Sequence, residues 1–300
     1  MKIKELSYSS SANLGPGYDI LSLSHRAFKD EVEIEENNTG KIRIFSDNTP
    51  EDPMKNTAGL SLIQIMKDRK IKLGIDITIN KGVPVGLGLG SSGASSSAAV
   101  KAFNKMFDLN LTNDEMVYYS MYGEIAACGS AHPDNVSSGI YGGMTLITST
   151  EPVRVRKIDI KYKPHLMLVI PDIKIEEKTK LARSMVPKNI DIKDMVRQTS
   201  RLSLMLLGFL NGERQAIRDG MNDEIVEKSR NGLFPFYGEI KSMAIDENAV
   251  SACISGAGPT ILIFTDERTN KNGIISGTDE ILGKYGLNYK IVETEIVEGY

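Results

Sequence analysis

Two clusters of residues in this chain are equipped for chemistry. The first is a run of glycines and hydroxyls, Gly86, Gly88, Gly90, Ser91, Ser92 and Gly93, inside GVPVGLGLGSSGASSS at residues 82–97. Glycine lets the backbone approach a ligand closely and adopt positive φ. The hydroxyls of Ser91, Ser92, Ser95 and Ser96 suit phosphate oxygens or a cation bound to them. The second cluster is Glu124, His132 and Asp134, three metal- or proton-capable side chains in a short span. A lone Glu on a helix is ordinarily solvated, but Glu124 sits among Gly123, Ile125, Ala126 and Ala127. Together the clusters describe a cradle for phosphate with acid–base or metal groups to serve it.

The cradle needs elements to hold it. Ile75, Ile77 and Ile79 alternate with polar residues and predict a strand, while Ala98, Ala99, Ala102, Phe103 and Met106 recur at helical spacing. A helix N-terminus that emerges from a glycine loop presents free N–H groups and the positive end of its dipole to an anion. The Lys that a P-loop requires is missing. Residues 88–93 satisfy a dinucleotide-binding pattern, but that fold needs a strand after the helix. Here Thr112-x-x-Glu115 is a capping box that opens a second helix, from Asn113 to about Ala127, so a dinucleotide oxidoreductase is disfavoured.

Around this centre, residues 31–36 and 41–45 read as a hairpin turning at Asn37–Gly40, and a helix is predicted from about Thr57 to Lys67. SYSSSANLGPGYDIL, residues 7–21, reads by itself as a polar loop and surface turn. A soft boundary falls near Thr148–Pro152, dividing residues 1–152 from 153–300. Beyond it come a buried strand at Leu166–Ile170, helices near 176–185, 194–211 and 213–229, and two strands around Ser255-Gly-Ala-Gly-Pro259. Three hundred residues with 41% hydrophobic and 25% charged composition describe a globular chain with a sizeable core. A net charge of −3 argues against general nucleic-acid binding, and no apolar run suits a membrane span or a signal peptide. Cys128 and Cys253 lack metal spacing and read as buried free thiols in a reducing cytoplasm. A homodimer is compatible with the sequence.

The pattern Pro84-x-x-x-Gly88-Leu89-Gly90-Ser91-Ser92-x-Ala94 resembles the ATP loop of the GHMP small-molecule kinases. The resemblance implies that Pro84, Val85, Gly86, Leu87, Gly88, Leu89, Gly90, Ser91, Ser92, Gly93 and Ala94 form the nucleotide loop, with Asn56 as an adenine contact. Ser11 to Gly17, followed by Tyr18 and Asp19, is similar to the N-terminal motif of the homoserine-kinase branch. That branch also has a Glu, a His and an Asp-Asn pair after the loop, here Glu124, His132, Asp134 and Asn135. Its two Arg-bearing stretches correspond to Thr179-Lys-Leu-Ala-Arg183 and Glu227-Lys-Ser-Arg230, although the branch more often has Glu-Pro-aromatic-Arg in the second. Gly256 and Gly258 fall in the third family motif, which closes on the phosphates or the substrate.

The fold so implied is a two-domain α+β architecture, with a mixed N-terminal domain and a C-terminal antiparallel sheet covered by helices. The implied reaction moves the γ-phosphoryl of ATP to the side-chain hydroxyl of L-homoserine. Mg²⁺ would be held by Ser92 and Glu124, since it takes only one or two protein oxygens. Arg183 and Arg230 would bind the carboxylate and Asp19 with Asn13 the ammonium, with His132 and Thr179 completing the shell. Asp134 and Asn135 occupy the region where related kinases place a base, although homoserine kinases are thought to manage without one. A mevalonate-type kinase and a catalytically silent metabolite sensor are the alternatives.

Overall fold

A computed structural model of the chain describes residues 1–299, apart from the side chain of Cys128; the expectation of a buried thiol there lies outside the described residues. Cys253 is a buried free thiol.

The first sheet grows around a long central strand. β1 (Lys2–Ala12) pairs antiparallel with β2 (Leu21–Asn37), whose register slips between Tyr8 and Ser9. β3 (Ile42–Phe45), α1 (Thr57–Asp68) and β4 (Gly74–Asn80) follow. The order is β3-β4-β2, with β3 parallel to β4, so residues 31–45 do not form the expected hairpin. β4 lies between the two segments, its Ile75, Ile77 and Ile79 buried on the same side as Val32, Ile34 and Ile44. The Asn37–Gly40 turn therefore launches a crossover around a neighbour that local periodicity does not reveal.

That apolar face is covered by α1, by α2 (Ser91–Met106) and by α3 (Asn113–Cys128). Small residues at Gly93, Ala94, Ser95, Ser96, Ser97, Ala98 and Ala99 let α2 be buried almost all round. The Thr112–Glu115 capping box forms as predicted, and helix does follow helix. α4 (Asp134–Tyr141), β5 (Met144–Thr150) and β6 (Val153–Ile158) complete this half. β6 pairs with β5, so the expected boundary at residue 152 cuts through a hairpin; the first sheet continues to Ile158.

β7 (His165–Pro171) begins the second sheet. Next come α5 (Lys178–Ser184), α6 (Ile192–Asn211), α7 (Arg214–Gly220), α8 (Val226–Ser229), α9 (Tyr237–Asp246), β8 (Ser251–Ile254), β9 (Ile261–Thr265), α10 (Lys271–Lys284) and β10 (Tyr289–Thr294). The expected helix at 213–229 is thus two shorter ones. The strand order is β10-β7-β9-β8, antiparallel throughout. β7 is apolar on both faces because it serves two cores. Leu166, Leu168 and Ile170 pack with Met205, Phe209 and Ile217, and Met167 and Val169 pack with Phe236, Ile240 and Ile274. The first of these cores also holds Leu14, Leu21, Leu89 and Met144, and so welds the halves together. Residues 295–297 return to β2, where Arg26 N–H donates to Glu295 and Val297 N–H to Ser24. The two-domain α+β expectation holds.

Candidate active site

The glycine loop leads from β4 to α2 as the sequence predicts, but its parts divide the work unequally. Gly86, Gly88 and Gly90 have φ of +78°, +79° and +68°, values that favour glycine. A Cβ on Gly86 would meet nothing within 4 Å, so this glycine faces open space. One on Gly88 would lie 2.3 Å from the Ser255 carbonyl, and one on Gly90 would lie 2.1 Å from Ser10 Oγ. Gly88 thus admits the 255–258 loop, and Gly90 admits Ser10 and Asn135.

Of the four hydroxyls expected to serve phosphate or metal, only Ser92 does not spend its own on the scaffold. Ser91 Oγ donates to the Val83 carbonyl (2.9 Å), Ser95 Oγ to Asp30 (2.7 Å) and Ser96 Oγ to the Gly93 carbonyl (3.2 Å). Ser92 Oγ donates to Glu124 Oε2 at 2.9 Å, and both residues line the main cavity.

The loop is braced from below by a pair that no motif announces. Asp30 Oδ1 accepts from the backbone N–H of Gly82 (3.0 Å) and Val83 (2.9 Å). Its other oxygen accepts from the Lys81 ammonium, which also donates to the Ser91 carbonyl at 2.8 Å and Ser95 Oγ at 2.9 Å. Lys81 directly precedes the loop, but Asp30 lies 51 residues earlier.

Glu124, on α3, is buried, and burial pushes its carboxyl up to about 7; Ser92's hydrogen bond opposes this, while Asp134 adds to it. Asp134, the first residue of α4, is raised to about 6 by burial and then by Asp19. Asn135 Oδ1 accepts from Ser10 Oγ at 2.9 Å, which ties α4 to β1. The stretch before β2 is no surface turn. Ser7, Ser9, Ser10 and Ser11 lie buried on β1, with Ser9 Oγ 3.0 Å and Ser11 Oγ 3.2 Å from the ring nitrogens of His25.

The same cavity contains a set of charges. Arg183 on α5 makes a two-pronged contact with Asp19, at 2.9 and 3.1 Å. Burial pulls the guanidinium down, but its bonds to Asp19 outweigh this and hold it above its usual value. Asn13 Oδ1 accepts from the Asp19 N–H (3.1 Å) while its Nδ2 donates to the Gly256 carbonyl (2.9 Å). Arg230, just beyond α8, is buried and donates to the carbonyls of Ala182 (3.0 Å) and Gly256 (3.3 Å). Glu227 anchors α8 to β8 by accepting from the Ile254 N–H at 2.9 Å, and so fixes where Arg230 emerges. The Tyr18 ring lies 5.7 Å from the Arg183 guanidinium and 5.4 Å from that of Arg230. His132 is 2.7 Å from Ser130 Oγ and 3.4 Å from Arg183; burial lowers its pKa.

One cavity therefore joins Asn13, Asp19, Val85, Gly86, Gly88, Leu89, Gly90, Ser91 and Ser92 with Glu124, His132, Asp134, Asn135, Thr179, Arg183, Arg230 and Gly256. Pro84, Leu87, Gly93 and Ala94 stay outside its lining and support the loop. Gly258 packs against the Phe234 ring. Asn56 is not brought to the cavity; it caps α1, its Oδ1 accepting from Ala58 (3.0 Å) and Gly59 (3.2 Å) and its Nδ2 donating to Thr49 and Pro50. Sequence reasoning missed Asp30 and Lys81, and it named Tyr18 without a role.

The family model for the GHMP kinases N terminal domain matches residues 57–143, and that for GHMP kinases C terminal matches residues 205–277. The chain belongs to the GHMP kinases. Within these kinases it is 47% identical to a homoserine kinase of Saccharolobus solfataricus, over 97% of this chain and 95% of that protein. It superposes on a homoserine kinase of Cytophaga hutchinsonii with a TM-score of 0.90 at 30% identity, covering 99% of this chain and 96% of that one. A mevalonate kinase of Methanococcus jannaschii shares the GHMP fold at a TM-score of 0.71 and 18% identity, covering 99% and 98% of the two chains. No helix among the described residues is long and apolar enough to cross a membrane.

Proposed function

We propose that this GHMP kinase transfers the γ-phosphoryl of ATP to the side-chain hydroxyl of L-homoserine, giving O-phospho-L-homoserine and ADP in threonine biosynthesis. The observation that carries this reading is the Asp19–Arg183 pair, set in the same cavity as the glycine loop and flanked by Asn13 and Arg230. An acceptor with an ammonium and a carboxylate on one carbon can exchange this internal pair for two external ones, its ammonium going to Asp19 and its carboxylate to the arginines. Arg–carboxylate contacts are strong and can be bidentate. An acceptor lacking the ammonium would leave Asp19 to be desolvated without a cation, which is costly. The likeness to homoserine kinases agrees with this choice.

Phosphoryl transfer asks mainly for positioning and charge neutralisation. The acceptor oxygen attacks the γ-phosphorus, the bond to the β–γ bridging oxygen breaks, and the hydroxyl proton passes to a phosphoryl oxygen or water. The loop N–H groups and the start of α2 receive the phosphates. Ser92 Oγ and the Glu124 carboxylate, 2.9 Å apart in a buried wall of the cavity, fit a Mg²⁺ ion that keeps phosphate and water as its other ligands. Such an ion would neutralise phosphate charge. Asp134 and Asn135 line the cavity, and Asn135 orders its floor through Ser10; we assign neither a dedicated proton transfer. The reading places the enzyme in the cytoplasm, with small molecules as its partners.

The test is ADP release with ATP, Mg²⁺ and a panel of acceptors. L-homoserine should exceed 4-hydroxybutyrate, which lacks only the amino group, by about 10⁴ in kcat/KM. Equal use of the two, or faster turnover of mevalonate, would refute the assignment.

A further inference from the structure

Lys178 opens α5 with its side chain only 6% exposed. It lines the cavity, yet among the described residues no carboxylate pairs with its ammonium and no hydrogen bond to it forms. The other cations nearby are committed: Arg183 to Asp19, Arg230 to two carbonyls, Lys81 to Asp30. A buried ammonium without a counter-charge is costly, so such a group is retained for an anion that arrives from outside. The charge that acts on Lys178 is that of Arg230, not those of Glu124 or Asp134 beside the phosphate loop. Two adjacent cations therefore face the cavity at its Arg230 end.

We propose that Lys178 is a substrate-positioning residue that binds the carboxylate of the acceptor together with Arg230. The inference rests on the amino-acid acceptor argued above and adds a third cation to its anionic end. Once the acceptor's ammonium takes Asp19, Arg183 is released to share the carboxylate with Arg230 and Lys178. Burial, and secondarily Arg230, pull the Lys178 pKa down to about 7, so the empty site holds its proton loosely and a bound carboxylate restores it. The charged and titratable groups sharing its cavity are Arg230, Arg183, Tyr18, Asp19, His132, Asp134 and, beside the phosphate loop, Glu124.

The test is Lys178→Met, assayed with ATP and L-homoserine between pH 6 and 8.5, alongside thermal shift with and without ATP. KM for homoserine should rise about 10- to 100-fold, the value of a hydrogen bond to a charged group, and much more than kcat falls. The ATP-induced shift should match the parent's. In the parent, kcat/KM for homoserine should decline as pH rises through about 7, and this decline should vanish in the Met variant. The unliganded variant should melt above the parent at pH 6, where the parent holds an uncompensated charge; a merely structural lysine would give the opposite sign. If the parent phosphorylates homoserine and the variant's KM is unchanged, the assignment falls alone. A lost ATP shift would overturn it by giving Lys178 to the phosphates. A parent inactive on homoserine would overturn the acceptor, and this role with it.

Discussion

Glu124→Gln should make the protein more stable and much less active at pH 8. The carboxyl is buried and its pKa is raised from 4.5 to about 7, chiefly by desolvation. That difference of roughly 2.5 units corresponds to about 3 kcal/mol of disfavoured ionisation. Because the folded pKa lies above the unfolded one, the native state binds more protons between pH 4.5 and 7, and its stability falls as pH rises through that window. Gln keeps the shape and can still accept from Ser92, but it never ionises. The variant should therefore match the parent near pH 4 and exceed it by up to about 3 kcal/mol at pH 8, a rise of several degrees in Tm. Turnover should drop about 100-fold or more, the scale of one lost preorganised electrostatic contact. Metal-free nucleotide binding should change far less. Thermal melts across pH and steady-state kinetics with Mg²⁺ read both effects. Near-normal turnover would remove Glu124 from the metal site, and a variant less stable than the parent at pH 8 would refute the desolvation argument.

Three further substitutions probe the remaining groups. Gly86→Ala, on an exposed turn with room for a methyl group, should leave the chain folded but abolish ATP-induced thermal stabilisation; an undiminished ATP shift would deny the loop contact with phosphate. Gly90→Val should instead lose fold stability, because its side chain would drive into Ser10 Oγ and Asn135 Oδ1; a variant melting like the parent would contradict that packing. Asp134→Asn should slow turnover yet retain the acid-side limb of the pH–rate profile, which on this account belongs to Glu124. Loss of that limb would make Asp134 a general base. Arg183→Ala should raise KM for homoserine steeply, leave the ATP shift unchanged, and cost no more than about 1 kcal/mol of stability, since its ion pair is over a third exposed.

The local signals in the sequence carried a good deal. The glycine loop between strand and helix, the Thr112 capping box and the two-core apolar run at β7 follow from side-chain period and backbone preference, and each forms as read. What escaped was set by partners distant along the chain. Residues 42–45 look like the second arm of a hairpin until β4 takes the place between them and β2. The serines of β1 look solvated because their partners, His25, Asn135 and the Gly139 carbonyl, are supplied by other elements. Ser91, Ser95 and Ser96 have the right type for phosphate, and only the fold shows their hydroxyls turned inward. Asp30 reads as one more acid on a charged strand, yet it carries the loop from beneath.

The return of residues 295–297 to β2 separates the order of synthesis from the order of assembly. β2 pairs with β5 at residues 21–23 and with β4 from residue 31, and residues 295–297 fill the gap at residues 24–26. A nascent chain that has emerged only as far as β6 would expose unpaired backbone there. Unpaired strand edges invite association with other chains. The first half should accordingly gain native protection from hydrogen exchange at Arg26 only after residues 295–297 leave the ribosome. Removal of residues 295–300, which leaves β10 intact, should loosen the amino-terminal sheet before it disturbs the second. Full protection of Arg26 in a chain ending at residue 294 would show that the strap is dispensable.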